Sequence, residues 1–425
     1  MSSLIKFGIV SIGLLVTVSP VKVSAQSVAP GSELTLQDAE QLALGYDPAV
    51  MAFDSRAQAY DDQAVADGQL PDPRLKLGTM NVPVDTFDFD QESMTQLQVG
   101  IQQAFPPGDT LRYRQEYTQA LSDGQSARQQ ERRLAVLQEV RRLYLELYFQ
   151  VQSGQVLQLN RELFNELRDT TQRQYAAGRN NQHDVLRAQL ELSLVDDRIL
   201  EVQREIEAAR GALSRYLPQA NAQRPLPADF PALPPLPGLE QVRGGLTMHP
   251  LIAIEDAAVL ASKKKIDEAE QKYKPGFNVD VTYGSRFGNS APGMSRPDML
   301  SAMVTVDLPL FTGKRQDRHL AAARKHSQAT QFSRTDRLYE LHSMLEQAIA
   351  NWQRLDDRLN LYEQRALADA RLNSESTLKA YQSDVADFTT LMRANLIELN
   401  TQIDLLRIRT ERAKVLVRLH YLAGE

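Results

Sequence analysis

Two apolar periods divide this chain. In four short segments the period is two. Phe277, Val279, Val281 and Tyr283 alternate with Asn278, Asp280, Thr282 and Gly284. Leu300, Ala302, Val304, Val306 and Leu308 alternate with Ser301, Met303, Thr305 and Asp307. Leu97, Val99 and Ile101 alternate with Gln96, Gln98, Gly100 and Gln102. The fourth is weaker: Leu75 and Leu77 flank Lys76, and Gly78 blurs the pattern. Such alternation predicts strands at about 74–81, 95–105, 277–286 and 299–308, each with one apolar and one polar face.

Elsewhere the period is helical. A helix is predicted from Leu36 to Gln69, where Pro71 and Pro73 stop it. After Pro106-Pro107-Gly108 the helical pattern runs from Thr110 to Tyr175, with Leu134, Leu137, Leu143, Leu147 and Val151 as an apolar stripe. Such a helix is on the order of 100 Å long. That length implies a coiled-coil or tube setting rather than a globular core. A second helix, Gln182 to Leu217, returns against it.

This plan occurs twice. Asp47-Pro48 answers to His249-Pro250, Pro73 to Pro275, Val99 to Val304, Gly108 to Gly313 and Tyr175 to Tyr381, at offsets of 202 to 206 residues. Leu186-Arg187-Ala188-Gln189-Leu190 answers to Met392-Arg393-Ala394-Asn395-Leu396. Order and spacing together indicate an internal duplication. Seven of the 20 prolines fall between Pro218 and Pro237, predicting an extended divider. The chain thus reads as a leader at 1–25, a first repeat at 26–217, a linker at 218–238 and a second repeat at 239–425.

The leader is a processing signal: Lys6, a short apolar run from Phe7 to Val18, and Val23-Ser24-Ala25 before Gln26. It carries Lys6 and Lys22 and no acid, so its removal takes the net charge from -6 to -8. An acidic chain is a poor nucleic-acid partner. With no cysteine, disulfides, thiolate metal sites and thiol nucleophiles are excluded. No later segment is apolar enough for a spanning helix, so a membrane could be crossed only by strands.

Alternation over nine to eleven residues matches a membrane barrel, apolar to lipid and polar to water. It equally matches two soluble hairpins, each with one buried face. Export, the absence of other strands and the length of the helices favour the barrel. Four strands cannot close, and an open edge in lipid is not viable, so copies must assemble. On this reading Gln96, Gln98, Gln102, Asn278, Asp280, Thr282, Thr305 and Asp307 line the pore. The hairpin loops, acidic Pro83–Met94 and Gly/Pro/Ser-rich Phe287–Asp298, lie outside.

At the far ends of the helical hairpins are two short tips. In the first, Gly178 ends a helix, Arg179, Asn180 and Asn181 turn the chain, and Asn181 with Asp184 forms an N-cap signature. In the second, Ser383 or Asp384 is the expected cap, with Asp387 close by. These residues either only turn the chain or also present a docking surface for a partner's helical hairpin.

The chain resembles the TolC-type outer-membrane efflux proteins. The matching residues are Leu34-Thr35-Leu36-x-x-Ala39-x-x-Leu42-Ala43 with Asp47-Pro48, the duplication, and Tyr175-x-x-Gly178 with Asp184-Val185-Leu186-x-Ala188. Within that family it looks most like the outer-membrane members of heavy-metal cation systems, of the copper/silver and cobalt/zinc/cadmium types. Leu70-Pro71-Asp72-Pro73, Asn81-x-Pro83-x-Asp85, Met94-Thr95-Gln96, Phe105-Pro106-x-Gly108-Asp109 and Arg418-Leu-His420-Tyr-Leu422-Ala-Gly424 carry this. The resemblance implies a mainly α chain with transmembrane β, assembled as a homotrimer with a twelve-stranded barrel and a periplasmic helical tunnel. It also implies an outer-membrane location, a periplasmic adaptor and a proton-driven inner-membrane pump as partners, and passive conduction gated at the tips. Two departures are visible. The second tip lacks the family glycine, and Thr390 and Arg393 stand where some members carry aspartates.

No cofactor is expected. His319 and His326 are seven apart with no acidic motif around them, and Met80, Met94, Met294, Met299 and Met303 gather near the strand ends. Soft thioethers can contact copper(I) or silver(I), but methionine also fills apolar gaps. No phosphate loop or nucleophile elbow points to an enzyme. The competing readings are a duct for drug efflux or polypeptide secretion, and a periplasmic coiled-coil adaptor or scaffold.

Overall fold

The computed structural model describes residues 33–178, 181–383 and 385–425. The leader, Arg179, Asn180 and Asp384 therefore lie outside the described residues. The first half contains α1 (Leu36–Tyr46), α2 (Pro48–Asp67), β1 (Arg74–Met80), β2 (Gln96–Phe105), α3 (Thr110–Ala176) and α4 (Gln182–Leu213). A single helical turn, α5 (Gln219–Ala222), interrupts the proline-rich segment. The second half contains α6 (Leu239–Gly245), α7 (Pro250–Gln271), β3 (Gly276–Arg286), β4 (Asn289–Ala291), β5 (Met294–Ser295) and β6 (Met299–Asp307). It ends with α8 (Gln316–Leu361), α9 (Leu367–Gln382) and α10 (Phe388–Ala423). A π-helical turn at Tyr362–Ala366 joins α8 to α9, whereas α3 runs unbroken for 67 residues.

The single helix expected from Leu36 to Gln69 is two helices. Asp47 precedes proline and is held extended at φ -73°, ψ 110°, because the proline ring disfavours the helical region for its neighbour. Pro48 then opens α2, and Asp47 Oδ1 accepts from the amides of Ala49 (2.9 Å) and Val50 (3.2 Å). His249-Pro250 repeats the device: His249 Nδ1 accepts from Leu251 N at 3.2 Å, and Pro250 opens α7. The repeat is thus visible in how each half starts its second helix.

The cores repeat as well. In the first half, α1 lays Leu36, Ala39 and Ala43 on Val136, Val140, Leu143, Tyr144 and Leu147 of α3. In the second, Leu341, Leu345, Ala348, Ile349 and Trp352 of α8 keep the same internal spacing, packed against Ile252 and Leu416. The halves join where Leu145 of α3 meets Ala413 and Val417 of α10. Tyr144 is 1% exposed, and its hydroxyl donates to the Leu34 carbonyl at 2.7 Å. No helix among the described residues is long and apolar enough to cross a membrane.

The four longer strands form one antiparallel sheet in the order β1-β2-β3-β6, so the second-half hairpin continues the first-half hairpin edge to edge. The sheet stands at one end of α3. The tips stand at the other, about 100 Å away along 67 helical residues.

Candidate functional site

In an antiparallel sheet, residues paired directly across strands share a face. Leu77 pairs with Val99, Val99 with Tyr283, and Tyr283 with Leu300. Leu75, Ile101, Val281 and Ala302 form the next such row. Phe277 and Val306 join the same face near its base. This face is apolar and uncovered: Leu77 is 72% exposed, Val99 44% and Leu300 74%. A soluble sheet buries its apolar face; here the described residues leave that face uncovered. The two-soluble-hairpins alternative required a protein layer over that face, and none of the described residues supplies it.

The opposite face is polar, and the register brings all eight of the strand residues singled out from the sequence onto it. Gln96, Gln98 and Gln102 of β2 pair with Arg286, Gly284 and Asp280 of β3. Asn278 pairs with Thr305 and Gly276 with Asp307, while Thr282 pairs with both Gly100 and Ser301. Three methionines share this face: Met80 opposite Gln96, Met299 opposite Gly284 and Met303 opposite Asp280. Gln98 donates to Met80 Sδ at 3.1 Å. Met94 and Met294 lie in the loops instead.

Sequence reasoning missed Lys76. Its ammonium forms an ion pair with Asp280, two strands away. The position was legible as polar by alternation, but its partner lies 204 residues along the chain and emerges only from the register.

At the loop end, β4 and β5 form a small hairpin within the Phe287–Asp298 segment. Arg296 clasps the two loops, donating from Nη1 to the carbonyls of Asp90 (3.1 Å), Glu92 (3.0 Å) and Phe287 (3.1 Å). Phe89 and Phe287 meet edge-on at 5.7 Å.

At the tips, Gly178 adopts φ +71°, and its amide donates to the Tyr175 carbonyl at 2.9 Å. Asn181 occupies the N-cap of α4, but its side chain makes no capping bond. The expected Asn181/Asp184 signature is therefore realised through backbone alone, Asp184 N donating to Asn181 O at 3.1 Å. In the second tip neither expected residue is seen to cap. Ser383 ends α9, its hydroxyl donating back to the Lys379 carbonyl at 2.9 Å, and Asp384 is outside the described residues. Asp387 caps α10, accepting from Thr390 N at 2.7 Å. Its hydrogen bonds from Thr390, with the nearby charges of Arg393 and Arg187, hold its carboxyl below the ordinary range. Arg187 and Arg393 are repeat equivalents, so the duplication brings one cation from each half towards a single carboxylate.

The tips are packed on one another. Tyr381 donates to Gln174 Oε1 at 2.6 Å and meets the Phe388 ring edge-on at 6.1 Å. Beneath them Phe164, Leu167, Ala188, Leu192, Phe388, Leu391 and Met392 form one core. His319 and His326 are both exposed on α8. Lys272, Lys274, Arg315 and Asp307 line the same small cavity as His319.

A sheet with an uncovered apolar face, carried at the end of helical hairpins about 100 Å long, fits the class of outer-membrane channel subunits. The chain belongs to the outer membrane efflux protein family: the family model matches residues 39–218 and 246–425, one match per half. No curated protein matches it in sequence. Solved structures share its fold. The outer-membrane channel OprN is 19% identical, with a TM-score of 0.76 over 95% of this chain and 96% of that one. The outer membrane protein VceC from Vibrio cholerae is also 19% identical, TM-score 0.76, covering 92% and 96%. CusC, described for its transmembrane channel formation, is 16% identical, TM-score 0.76, covering 94% and 95%.

Proposed function

We propose that three copies of this chain close a twelve-stranded barrel in the outer membrane, with the helical part as a tunnel in the periplasm. The assembly serves as the passive exit duct of a tripartite efflux pump. The observation that carries this is the uncovered apolar face of a sheet whose β1 and β6 edges have no partner strand among the described residues. An apolar face of that kind suits lipid, and open edges in lipid must pair with further copies. The polar face, with Gln96, Gln98, Gln102, Asn278, Asp280, Thr282, Thr305 and Asp307, then lines the pore.

The tips, with Gly178, Arg179, Asn180, Asn181, Asp184, Asp384 and Asp387, dock a periplasmic adaptor. A proton-driven inner-membrane pump supplies the cargo. Heavy-metal cations are the cargo this reading favours, on the sequence resemblance given above. Met80, Met299 and Met303 on the polar face offer weak soft contacts compatible with passage.

Detergent-purified protein is expected to run as a heat-resistant trimer and to conduct ions across a planar bilayer. A detergent-independent, non-conducting monomer would return the chain to the scaffold class. Cargo is tested separately, by deleting the gene in its host and challenging with copper, silver, cobalt, zinc and cadmium salts and with a drug panel. Sensitivity confined to drugs would reassign the cargo and leave the duct intact.

A further inference from the structure

Five charged side chains stand on the polar face of the sheet: Arg74, Lys76, Asp280, Arg286 and Asp307. Arg286 is tied to the loops, donating to the carbonyls of Pro297 (2.6 Å) and Ser93 (3.4 Å). Lys76 and Asp280 are tied to each other. Lys76 stands on β1 and Asp280 on β3, with β2 between them. Neighbouring strands are about 4.8 Å apart, so the lysine must cross roughly 10 Å of sheet.

It crosses at Gly100, which pairs with Lys76 on one side and Thr282 on the other. A β-carbon at position 100 would sit 2.5 Å from Thr282 Oγ1 and 3.1 Å from the Val281 carbonyl oxygen. The hydroxyl of Thr282 donates to Asp280 Oδ1 at 2.8 Å, leaving Oδ2 for the ammonium. The Asp280 side chain is 9% exposed and that of Lys76 46%. The cation therefore covers the carboxylate on the side the duct reading assigns to the lumen.

We infer that Lys76 is a selectivity-setting residue of the duct: by neutralising Asp280 it keeps the barrel wall from presenting a bare ring of carboxylates to passing cations. The inference rests on the duct reading above. A duct must release what it carries, and an uncompensated carboxylate ring retains multivalent cations. Asp307 and Arg74 have no ion-pair partner within 4 Å among the described residues, and Asp307 shares a cavity with Lys272, Lys274 and Arg315; with Lys76 in place the face therefore carries no uncompensated excess of carboxylates.

The test is the reversal potential of the full-length mature protein in planar bilayers under a potassium chloride gradient. Low ionic strength is used, because screening is then weakest. Lys76→Gln is expected to raise the cation-to-anion permeability ratio roughly two- to fivefold. Asp280→Asn is expected to lower it, and Lys76→Gln/Asp280→Asn to return it towards the wild-type ratio. Lys76→Arg is expected to leave it unchanged.

Opposite shifts in the single variants, cancelling in the double, support the inference. A pair that only staples β1 to β3 would lower the heat resistance of the oligomer without moving the reversal potential, and that result overturns it. If one single variant fails to assemble, the other carries the test, since each is expected to move the ratio by itself and in its own direction, and an unmoved ratio overturns the inference. A wild-type protein with no conductance refutes the duct reading itself. A conducting protein with unmoved reversal potentials refutes only the role of Lys76.

Discussion

Arginine placed at Val99 and, in a second variant, at the adjacent Gln98 puts the same charge on opposite faces of the sheet one residue apart. Val99 is the fourth of ten residues in β2, in the row Leu77, Val99, Tyr283 and Leu300. It is 44% exposed on the apolar face. An arginine on the lipid face at mid-depth costs about 2–4 kcal/mol, falling to about 0–1 kcal/mol near the interfaces. In the proposed trimer this becomes roughly 6–12 kcal/mol per assembly. Gln98 faces the polar side beside Gly284 and Gly78, where an arginine reaches water and costs about 1 kcal/mol or less. A third variant, Phe105→Arg, lies on the Val99 face but at the strand end. The assay is urea unfolding of the oligomer in lipid vesicles, with heat resistance on gels as a second readout. The expected order of damage is Val99→Arg, then Phe105→Arg, then Gln98→Arg. A face buried against protein would penalise arginine without regard to depth. Equal losses at Val99 and Phe105, or a larger loss at Gln98, would therefore refute the lipid-facing assignment.

Two further predictions concern the helices. Asp47 combines an N-cap with an ion pair to Arg132 Nη2 at 2.5 Å, and Asp47→Ala is expected to cost about 2–4 kcal/mol in denaturant titrations. Burial pushes the Asp47 carboxyl up, but the hydrogen bond and charge of Arg132 and the amides of Val50 and Ala49 outweigh it and hold the carboxyl below its ordinary value. A depressed folded value means this stabilisation is complete above about pH 4 and is lost as pH falls through the folded value. Asp47→Ala should flatten that part of the acid limb, and an unchanged limb would remove Asp47 from the account. At the tips, Phe388 is 2% exposed and packs edge-on to Tyr381. Phe388→Ala is expected to cost about 3–5 kcal/mol locally. Hydrogen exchange should then rise in 157–203 and 381–403 but not around α1, and exchange rising throughout would show that the tips are not a separate unit.

The strands and long hairpins were legible because the patterns persist: period two through β3 and β6 and most of β2, and a helical stripe over α3. The break at Asp47 was overlooked although its signal was present, an Asp-Pro pair that caps one helix while ending another. The caps at the second tip were misassigned for a different reason. Ser383, Asp384 and Asp387 are all competent caps, and the choice depends on which residue the turn holds extended; Asp387 is at φ -84°, ψ 165°. The small β4–β5 hairpin spans too few residues for any period to show. The ion pair of Lys76 with Asp280 could not be read at all, since it depends on first-half and second-half hairpins lying edge to edge.

That edge-to-edge placement is also what the duplication accomplishes. Each half supplies one hairpin and one helical pair, and the β2–β3 seam joins the hairpins over ten residue pairs, Gln96 with Arg286 through Phe105 with Phe277. The seam within the chain is thus a second-half strand laid against a first-half strand. Further closure would repeat that relation between copies, β6 of one against β1 of the next, a head-to-tail contact that forms a ring when the rotation closes. The available edges are compatible in length, seven residues in β1 and nine in β6. An edge left open in lipid would cost several kcal/mol for each unsatisfied backbone group. The same duplication that builds the sheet therefore leaves it two edges, which the proposed assembly would pair between copies. On the proposed duct, assembly and membrane insertion are then one requirement, imposed by a single sheet with one polar and one apolar face.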